Sequence, residues 1–187
     1  NYVQEMVDKY EFVDSELKSG IVWHFIGHLQ TNKVKYIAPF VDCIHSVYKL
    51  KLAKEIDKRA LENNRVIDIL LQVNTSGEES KSGCSSLDAK QIVEGIKTLK
   101  NVNLIGLMTI SGLESSDEER KKEFSELREL RDELENELEA WIIANYREKL
   151  TPADLSDPSL LGETRSALEQ LTKIMRLGNV YEFQAAY

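Results

Sequence analysis

Residues 22–33 read VWHFIGHLQTNK, a short apolar run of strand type that ends at Gly27 and passes at once into an amide-rich segment typical of a helix start. In α/β proteins, such a junction at the carboxyl end of a strand is where ligands are held. The stretch therefore predicts one strand, one helix and one candidate ligand position. The rest of the sequence has to indicate the fold around it and the ligand.

Strand-like apolar runs recur along the chain, and each is followed by a segment whose apolar residues have helical spacing. The predicted strands are residues 21–26, 43–47, 67–73 and 104–110, and a short helix is predicted over 29–39. Strands that alternate with helices form successive βαβ units and hence a parallel sheet. The last two strands lack polar alternation, so we expect both of their faces to be covered. A (β/α) barrel and a doubly wound open sheet both satisfy this pattern.

Composition restricts the class of protein. With 187 residues, 42% of them hydrophobic, the chain can form a single domain over residues 1–187. The net charge of −8 argues against a nucleic-acid binder, and no apolar run reaches the ~20 residues of a membrane span. Cys43 and Cys84 lack a C-x-x-C spacing, which fits a reduced cytoplasmic protein. A mitochondrial location stays open, since the chain begins at Asn1-Tyr2 without Met, which indicates a fragment or a processed form.

Four collinear stretches resemble one known family. They are NYVQE at 1–5, WHFIGHLQTNK at 23–33, ILLQVNTSGEESKSG at 69–83 and LIGLMTI at 104–110. They are similar to signatures of the pyridoxal phosphate homeostasis proteins, the YggS/PROSC-like family. The resemblance implies an α/β fold, the (β/α) TIM-barrel type of the alanine racemase N-terminal domain, incomplete here because the first strand is missing. It also implies pyridoxal 5'-phosphate as the cofactor and a monomer as the family's state.

The same resemblance implies where the cofactor binds. In relatives, a lysine on the first strand forms a Schiff base with the cofactor; it would lie upstream of Asn1, so no catalytic residue is expected in this chain. The other lysines are interpreted as surface residues. Arg176 would face the pyridine nitrogen, and the amides of Gly178 and Asn179, at the end of a strand, would meet the phosphate. The implied cofactor-binding residues are Asn1, His24, Met108, Arg176, Gly178 and Asn179.

Two of these residues have other interpretations, and one segment departs from the family. His24 is interpreted as lining the pocket or as a hydrogen-bonded core residue, and Met108 as pointing to the barrel mouth or into the core. His24 and His28 are four residues apart, but Gly27 lies between them and His24 is in a strand, so no metal site is expected. Residues 140–162 do not resemble the family and are interpreted as a divergent or inserted segment.

The sequence therefore predicts a pyridoxal phosphate-binding protein of intracellular cofactor homeostasis, without established turnover and hence not an enzyme. Without the lysine, weak binding and no Schiff base are expected. One alternative is a racemase or decarboxylase relative, which would need that lysine and a second proton-transfer group. Another is a truncated, cofactor-free barrel fragment or interaction module. The sheet should be open, with the strand from Ile21 or its neighbour as an edge at which the fragment could associate with another chain.

Overall fold

The computed structural model of the protein describes residues 2–77, 82–112, 115–146 and 179–183. Helices and strands alternate along most of this range. The α-helices are α1 (Val3–Phe12), α2 (Ser15–Lys18), α3 (Val34–Ile37), α4 (Leu50–Glu62), α5 (Ser86–Ile96) and α6 (Asp117–Tyr146), and a 3₁₀ turn covers Thr31–Lys33. The strands are β1 (His24–Phe25), β2 (Cys43–Val47), β3 (Ile67–Gln72), β4 (Val102–Ile110) and β5 (Asn179–Phe183).

The strands form one parallel sheet in the order β1-β2-β3-β4-β5. All four neighbouring pairs are parallel. Each of the first three pairs is joined by a helical crossover, because parallel neighbours cannot be linked by a tight hairpin. The parallel α/β arrangement predicted from the alternating pattern is therefore confirmed for all four predicted strands.

The opening stretch folds with shorter elements than predicted. β1 contains only His24 and Phe25, which pair with Cys43 and Ile44. Before it, the carbonyl of Trp23 accepts hydrogen bonds from the backbone N–H groups of Asp42 and Cys43 at 2.9 and 3.2 Å. The predicted helix over 29–39 is a 3₁₀ turn followed by the single turn of α3. The predicted strand 21–26 is therefore longer than the part that pairs with β2, which is His24 and Phe25.

The two faces of the sheet have different partners. One face, here called the helix-covered face, packs against α1 and α3–α6 in a large apolar cluster. Its fully buried strand residues include Phe25, Ile44, Ile69, Leu71 and Leu107. The opposite face, here called the inner face, contains a separate small cluster of Cys43, Leu70 and Met108, with Ile105 packed against it.

Amphipathic helices explain the larger cluster. In α4 the buried residues are Leu52, Ala53, Ile56 and Ala60, and in α5 they are Ala89, Ile92, Val93 and Ile96. Both sets have the i, i+3, i+4 spacing that places them on one side of a helix. The start of α5 is fixed by Ser85, whose hydroxyl accepts a hydrogen bond from the backbone N–H of Asp88 at 3.1 Å. The helices therefore lie with their apolar sides on the sheet.

The described residues test the predicted edge strand but not the predicted incompleteness of the barrel. Within these residues, β1 pairs with β2 alone, which agrees with an edge near Ile21. The incompleteness of the barrel stays a prediction. Of the segment 140–162, residues up to Tyr146 continue helix α6 and the others lie outside the described residues. None of the described helices has the length and apolar character needed to cross a membrane.

Candidate functional site

The carboxyl edge of the sheet is closed by polar contacts between loops. The hydroxyl of Ser46, on β2, donates to the carbonyl of Gly27 at 2.6 Å and so holds the turn after β1. The hydroxyls of Thr75 and Thr109 are 3.0 Å apart and join the ends of β3 and β4. These contacts lie where a parallel α/β sheet holds ligands. By contrast, Gln30, which precedes the 3₁₀ turn, makes no side-chain capping hydrogen bond.

Gly83 brings the loop after β3 back onto the strand. Its φ is +135°, and an added Cβ would lie 2.6 Å from the backbone nitrogen of Asn74. That close approach lets Val73 and Cys84 form a parallel bridge, while the amide of Gln72 donates to the carbonyl of Ser82 at 3.1 Å. Only glycine has room for this geometry. The loop is consequently fixed at both ends beside the carboxyl edge.

A surface cavity of about 420 Å³ opens beside this loop. It is lined by residues 48–50, at the junction of β2 and α4, by residues 83–85 and by one side of α5. The ammonium of Lys49 lies over the ring of Tyr48, 4.7 Å from its centroid. No motif indicates this cavity, since its walls come from separate parts of the chain that only the fold brings together.

On the inner face, two histidines and a cysteine come together. His24 and Cys43 are cross-strand neighbours, and Nδ1 of His24 lies 2.8 Å from Nε2 of His45. One imidazole N–H therefore donates to the unprotonated nitrogen of the other. One potential ligand atom from each of the three residues lies within 4.8 Å of the other two. His24 is exposed, whereas Cys43 and His45 are buried.

Burial perturbs the buried members of this group. Desolvation, and then the nearby imidazole of His24, lower the pKa of His45 to about 4, so its ring is neutral near pH 7. Desolvation, followed by the carboxylates of Asp68 and Asp42, raises the pKa of the Cys43 thiol to about 12. Burial likewise raises the pKa of Cys84 to about 12. Neither thiol is a free nucleophile under these conditions, because the thiolate is the reactive form.

The structure describes three of the six predicted cofactor-binding residues, which are His24, Met108 and Asn179. Met108 is fully buried and belongs to the inner-face cluster, which fits the alternative that its side chain points into the core. His24 is exposed and hydrogen-bonded to His45, which does not fit the core alternative, and its pocket-lining alternative stays a prediction. Asn1, Arg176 and Gly178 lie outside the described residues.

Asn179 differs from its predicted place at a strand end. The residue begins β5 and pairs with Gly106, whereas Phe183 pairs with Ile110 at the carboxyl edge. The backbone of Asn179 is therefore far from the edge at which the other loops meet. The register therefore places Asn179 at the amino end of the described strand β5.

No lysine occurs in any of the five strands. The described lysines near the carboxyl edge lie on helices or helix starts, where Lys33 and Lys35 contact the ring of Tyr36 and Lys49 contacts Tyr48. The described part of the sheet thus offers no primary amine that could hold an aldehyde covalently. This agrees with the interpretation of these lysines as surface residues.

Two family models match the chain. The model of the alanine racemase N-terminal domain matches residues 7–145, which are most of the protein. The model of succinylarginine dihydrolase matches residues 114–184, a shorter region that overlaps the C-terminal part of the first match. The longer match covers four of the five strands and agrees with the fold implied by the resemblance.

Curated relatives agree on one name. A pyridoxal phosphate homeostasis protein of Aquifex aeolicus is 48% identical over 138 residues, which are 73% of this chain and 59% of the relative. The protein of the same name from Vibrio alginolyticus is 33% identical over 179 residues, or 95% of this chain and 72% of the relative. The chain thus spans about three fifths of the length of the first relative. The resemblance seen in the sequence is confirmed.

Solved structures support the same fold. PipY of Synechococcus elongatus PCC7942, solved with pyridoxal phosphate bound, has a TM-score of 0.65 and 30% identity over 73% of this chain and 62% of PipY. Alanine racemase of Clostridium difficile, with a TM-score of 0.57 and 16% identity over 72% of this chain and 35% of the racemase, shares the fold alone. The protein therefore has an α/β fold of the TIM-barrel type.

Proposed function

This chain belongs to the pyridoxal phosphate homeostasis protein family, and from that premise we propose that it takes part in binding pyridoxal 5'-phosphate and in controlling the level of that cofactor. The observation that carries the proposal is the match to PipY, whose solved structure contains the cofactor. The relatives are named for homeostasis of the cofactor and not for a reaction. We accordingly assign no catalytic turnover to the chain.

The described residues do not fit a covalently held cofactor. A covalent bond to the aldehyde needs an amine, and none of the five strands contains a lysine. What the described residues offer is a polar carboxyl edge fixed by Ser46, Thr75 and Gly83. We therefore infer a non-covalent contribution, in which this edge forms part of the wall of the binding site.

The proposed phosphate contacts come from the C-terminal part of the sequence. Arg176, with the amide of Gly178, supplies donors of the kind that bind phosphate oxygens most strongly, whereas the position of Asn179 at the start of β5 excludes it from this set. Asn1, His24 and Met108 remain proposed as neighbours of the cofactor on the grounds of the family resemblance. The complete burial of Met108 favours a packing role under the site over direct contact.

The proposed location and association follow from the family and the edge of the sheet. We place the protein in the cytoplasm, as a monomer in the family's manner. The short strand β1 pairs with one neighbour among the described strands, so it is the position at which association with a second chain would begin. Racemase or decarboxylase activity is less favoured, since the match to alanine racemase shows the fold alone.

Equilibrium dialysis of the 187-residue protein against pyridoxal phosphate tests this function. We expect weak, saturable binding that Arg176→Gln reduces and that Arg128→Gln leaves unchanged. Arg128 is exposed on α6, so its replacement makes the same change of charge away from the proposed site. Binding that is not saturable, or that both variants weaken equally, would contradict the proposal and favour a cofactor-free module.

Borohydride reduction of the same mixture, followed by mass spectrometry, tests the non-covalent part separately. We expect no stoichiometric adduct, because the described strands carry no lysine. A stoichiometric adduct at one lysine would identify that residue as the anchor. Cofactor binding would then stand, but the inference of a purely non-covalent contribution would be wrong.

A further inference from the structure

The cluster of His24, Cys43 and His45 shares only His24 with the proposed cofactor site, and that residue is placed there by the family resemblance alone. Cys43 is the first residue of β2 and lies opposite His24, so the cluster begins at the amino end of that strand and not at the carboxyl edge. The three side chains come from two adjacent strands. Their positions are therefore set by the register of the sheet, which is the most rigid part of the fold.

The donor set suits a transition metal. One thiol and two imidazoles are the ligands that Zn²⁺ prefers, and three protein ligands leave one position for water. In a tetrahedral zinc site, nitrogen and sulfur donors lie about 3.3–3.6 Å apart, as follows from Zn–N bonds of about 2.0–2.1 Å and a Zn–S bond of about 2.3 Å. The donors here lie within 4.8 Å of one another, with the two nitrogens at 2.8 Å. Zinc binding therefore requires the two nitrogens to move apart by about 0.5 Å.

Charge and access favour a cation at the same place. The carboxylates of Asp68 and Asp42 act on Cys43 by Coulomb interaction, which makes the potential at its sulfur negative. Asp68 is the cross-strand neighbour of Cys43 on β3. His24 is exposed, so an ion can reach the cluster without unfolding the sheet.

We propose that Nδ1 of His24, Sγ of Cys43 and Nε2 of His45 bind one Zn²⁺ ion, with water in the fourth position. On binding, the Cys43 thiol releases its proton to solvent as the zinc–sulfur bond forms. The proton now shared between the imidazoles moves to the other nitrogen of the ring that carries it. One proton is therefore released for each Zn²⁺ bound, and the local charge rises by one.

The competing explanation is an ordinary interior. A neutral imidazole pair and a buried thiol stabilise a sheet without any ion. Residues at the end of a barrel where the strands begin commonly contribute to stability alone. The two explanations differ in what they expect from metal titration. A structural cluster binds no stoichiometric ion, whereas a zinc site gives a spectroscopic signature of the thiolate.

Cobalt is the probe that separates them, because Co²⁺ occupies zinc sites and absorbs light. The 187-residue protein, stripped with a chelator and then titrated with Co²⁺, should develop one equivalent of the thiolate-to-cobalt charge-transfer band, which Zn²⁺ displaces. Cys43→Ser should abolish the band. His24→Gln removes a ligand and should weaken Zn²⁺ binding by at least roughly 100-fold, which is the most that the loss of an outer-shell partner costs.

Two control variants match the chemistry of these replacements. Cys84→Ser removes the other buried thiol, whose Sγ lies 3.4 Å from the carbonyl of Gln72, and serine can keep that hydrogen bond. His28→Gln removes the histidine four residues from His24 that lies outside the cluster. Both should leave the cobalt spectrum and the proton release unchanged.

Three results would overturn the proposal. They are the absence of a stoichiometric cobalt band in the unmodified protein, a cobalt spectrum without the thiolate transition, and an equal effect of Cys84→Ser and Cys43→Ser. If Cys43→Ser fails to fold, as judged by circular dichroism, His24→Gln decides the matter. Its replaced side chain is exposed, so Zn²⁺ affinity equal to that of the unmodified protein would refute the site.

Discussion

The two faces of the sheet differ in the size and composition of the clusters that they carry. On the helix-covered face, Ile69 and Leu71 are fully buried in the large apolar cluster. On the inner face, the neighbouring residues Leu70 and Gln72 lie beside Met108 and the cluster of His24, Cys43 and His45. Adjacent positions of the same strands therefore contribute either to stability or to chemistry. The comparison predicts that truncations of similar size on the two faces lower the free energy of unfolding by different amounts.

The largest expected effect is the truncation of β3 on the helix-covered face. Ile69→Ala should lower the free energy of unfolding by about 4 kcal/mol, because helices fixed on the sheet prevent the cavity from collapsing. Leu70→Ala should cost about 2 kcal/mol, at the lower end of the range, since its cluster is small. Urea unfolding, followed by circular dichroism, measures both values.

The slope of each unfolding curve serves as the control. If the free energy of unfolding of both variants falls with urea concentration at the same slope as in the unmodified protein, the difference in stability arises in the folded state. An equal cost, or a larger cost for Leu70→Ala, would show that the inner face is the main core. The division between the faces would then be wrong.

The pattern of the sequence predicted the sheet but not its two faces. The run IDILLQ of β3 is almost continuously apolar, so alternation does not reveal which of Ile69 and Leu70 faces the helices. Crossover helices at regular intervals nevertheless require parallel strands, so the parallel pairing could be predicted. The length of β1 could not, since pairing depends on where Cys43 and Ile44 lie in space.

The candidate sites show the same limit. His24 and His28 are close in sequence, but their spacing does not indicate a metal site. The fold instead joins His24 to Cys43 and His45, about twenty residues further on, through the register of two strands. Family resemblance identified the cofactor correctly for the relatives, but it placed Asn179 at a strand end. The described strand begins there.

The second prediction concerns His45 in metal-free protein. The pKa of this histidine is lowered to about 4 in the folded protein, against about 6.5 in the unfolded chain. Above pH 6.5 neither the folded nor the unfolded protein binds this proton, so His45 does not change the free energy of unfolding there. As the pH falls from 6.5 to 4, the unfolded chain binds the proton first, and the free energy of unfolding should decrease by about 3 kcal/mol in total.

His45→Gln provides the reference for this window. Carboxylates also titrate near its lower end, so the measured quantity is the difference between the pH profiles of the two proteins. The profile of the variant should be flatter between pH 6.5 and 4. Parallel profiles would mean that His45 accepts a proton in the folded state as easily as in water, contrary to a dry position on the inner face.

The smallest expected effect lies at the turn after β1. Ser46 is buried, and its hydroxyl donates to the carbonyl of Gly27 at 2.6 Å. Ser46→Ala should cost about 1.5 kcal/mol, because a carbonyl shielded from water loses its partner. This value is below that of either leucine or isoleucine truncation, since no large cavity forms.

Ser19→Ala is the matched control, because the hydroxyl of Ser19 also donates to a carbonyl, that of Glu16 at 3.3 Å, but in an exposed position. Water replaces the lost donor there, so the change in the free energy of unfolding should stay within about 0.5 kcal/mol. Urea unfolding of both variants gives the comparison. If Ser46→Ala is as mild as Ser19→Ala, water reaches Gly27 and the turn after β1 is open to solvent. The carboxyl edge would then be looser than the contacts between its loops indicate, and a ligand bound there would have to order it.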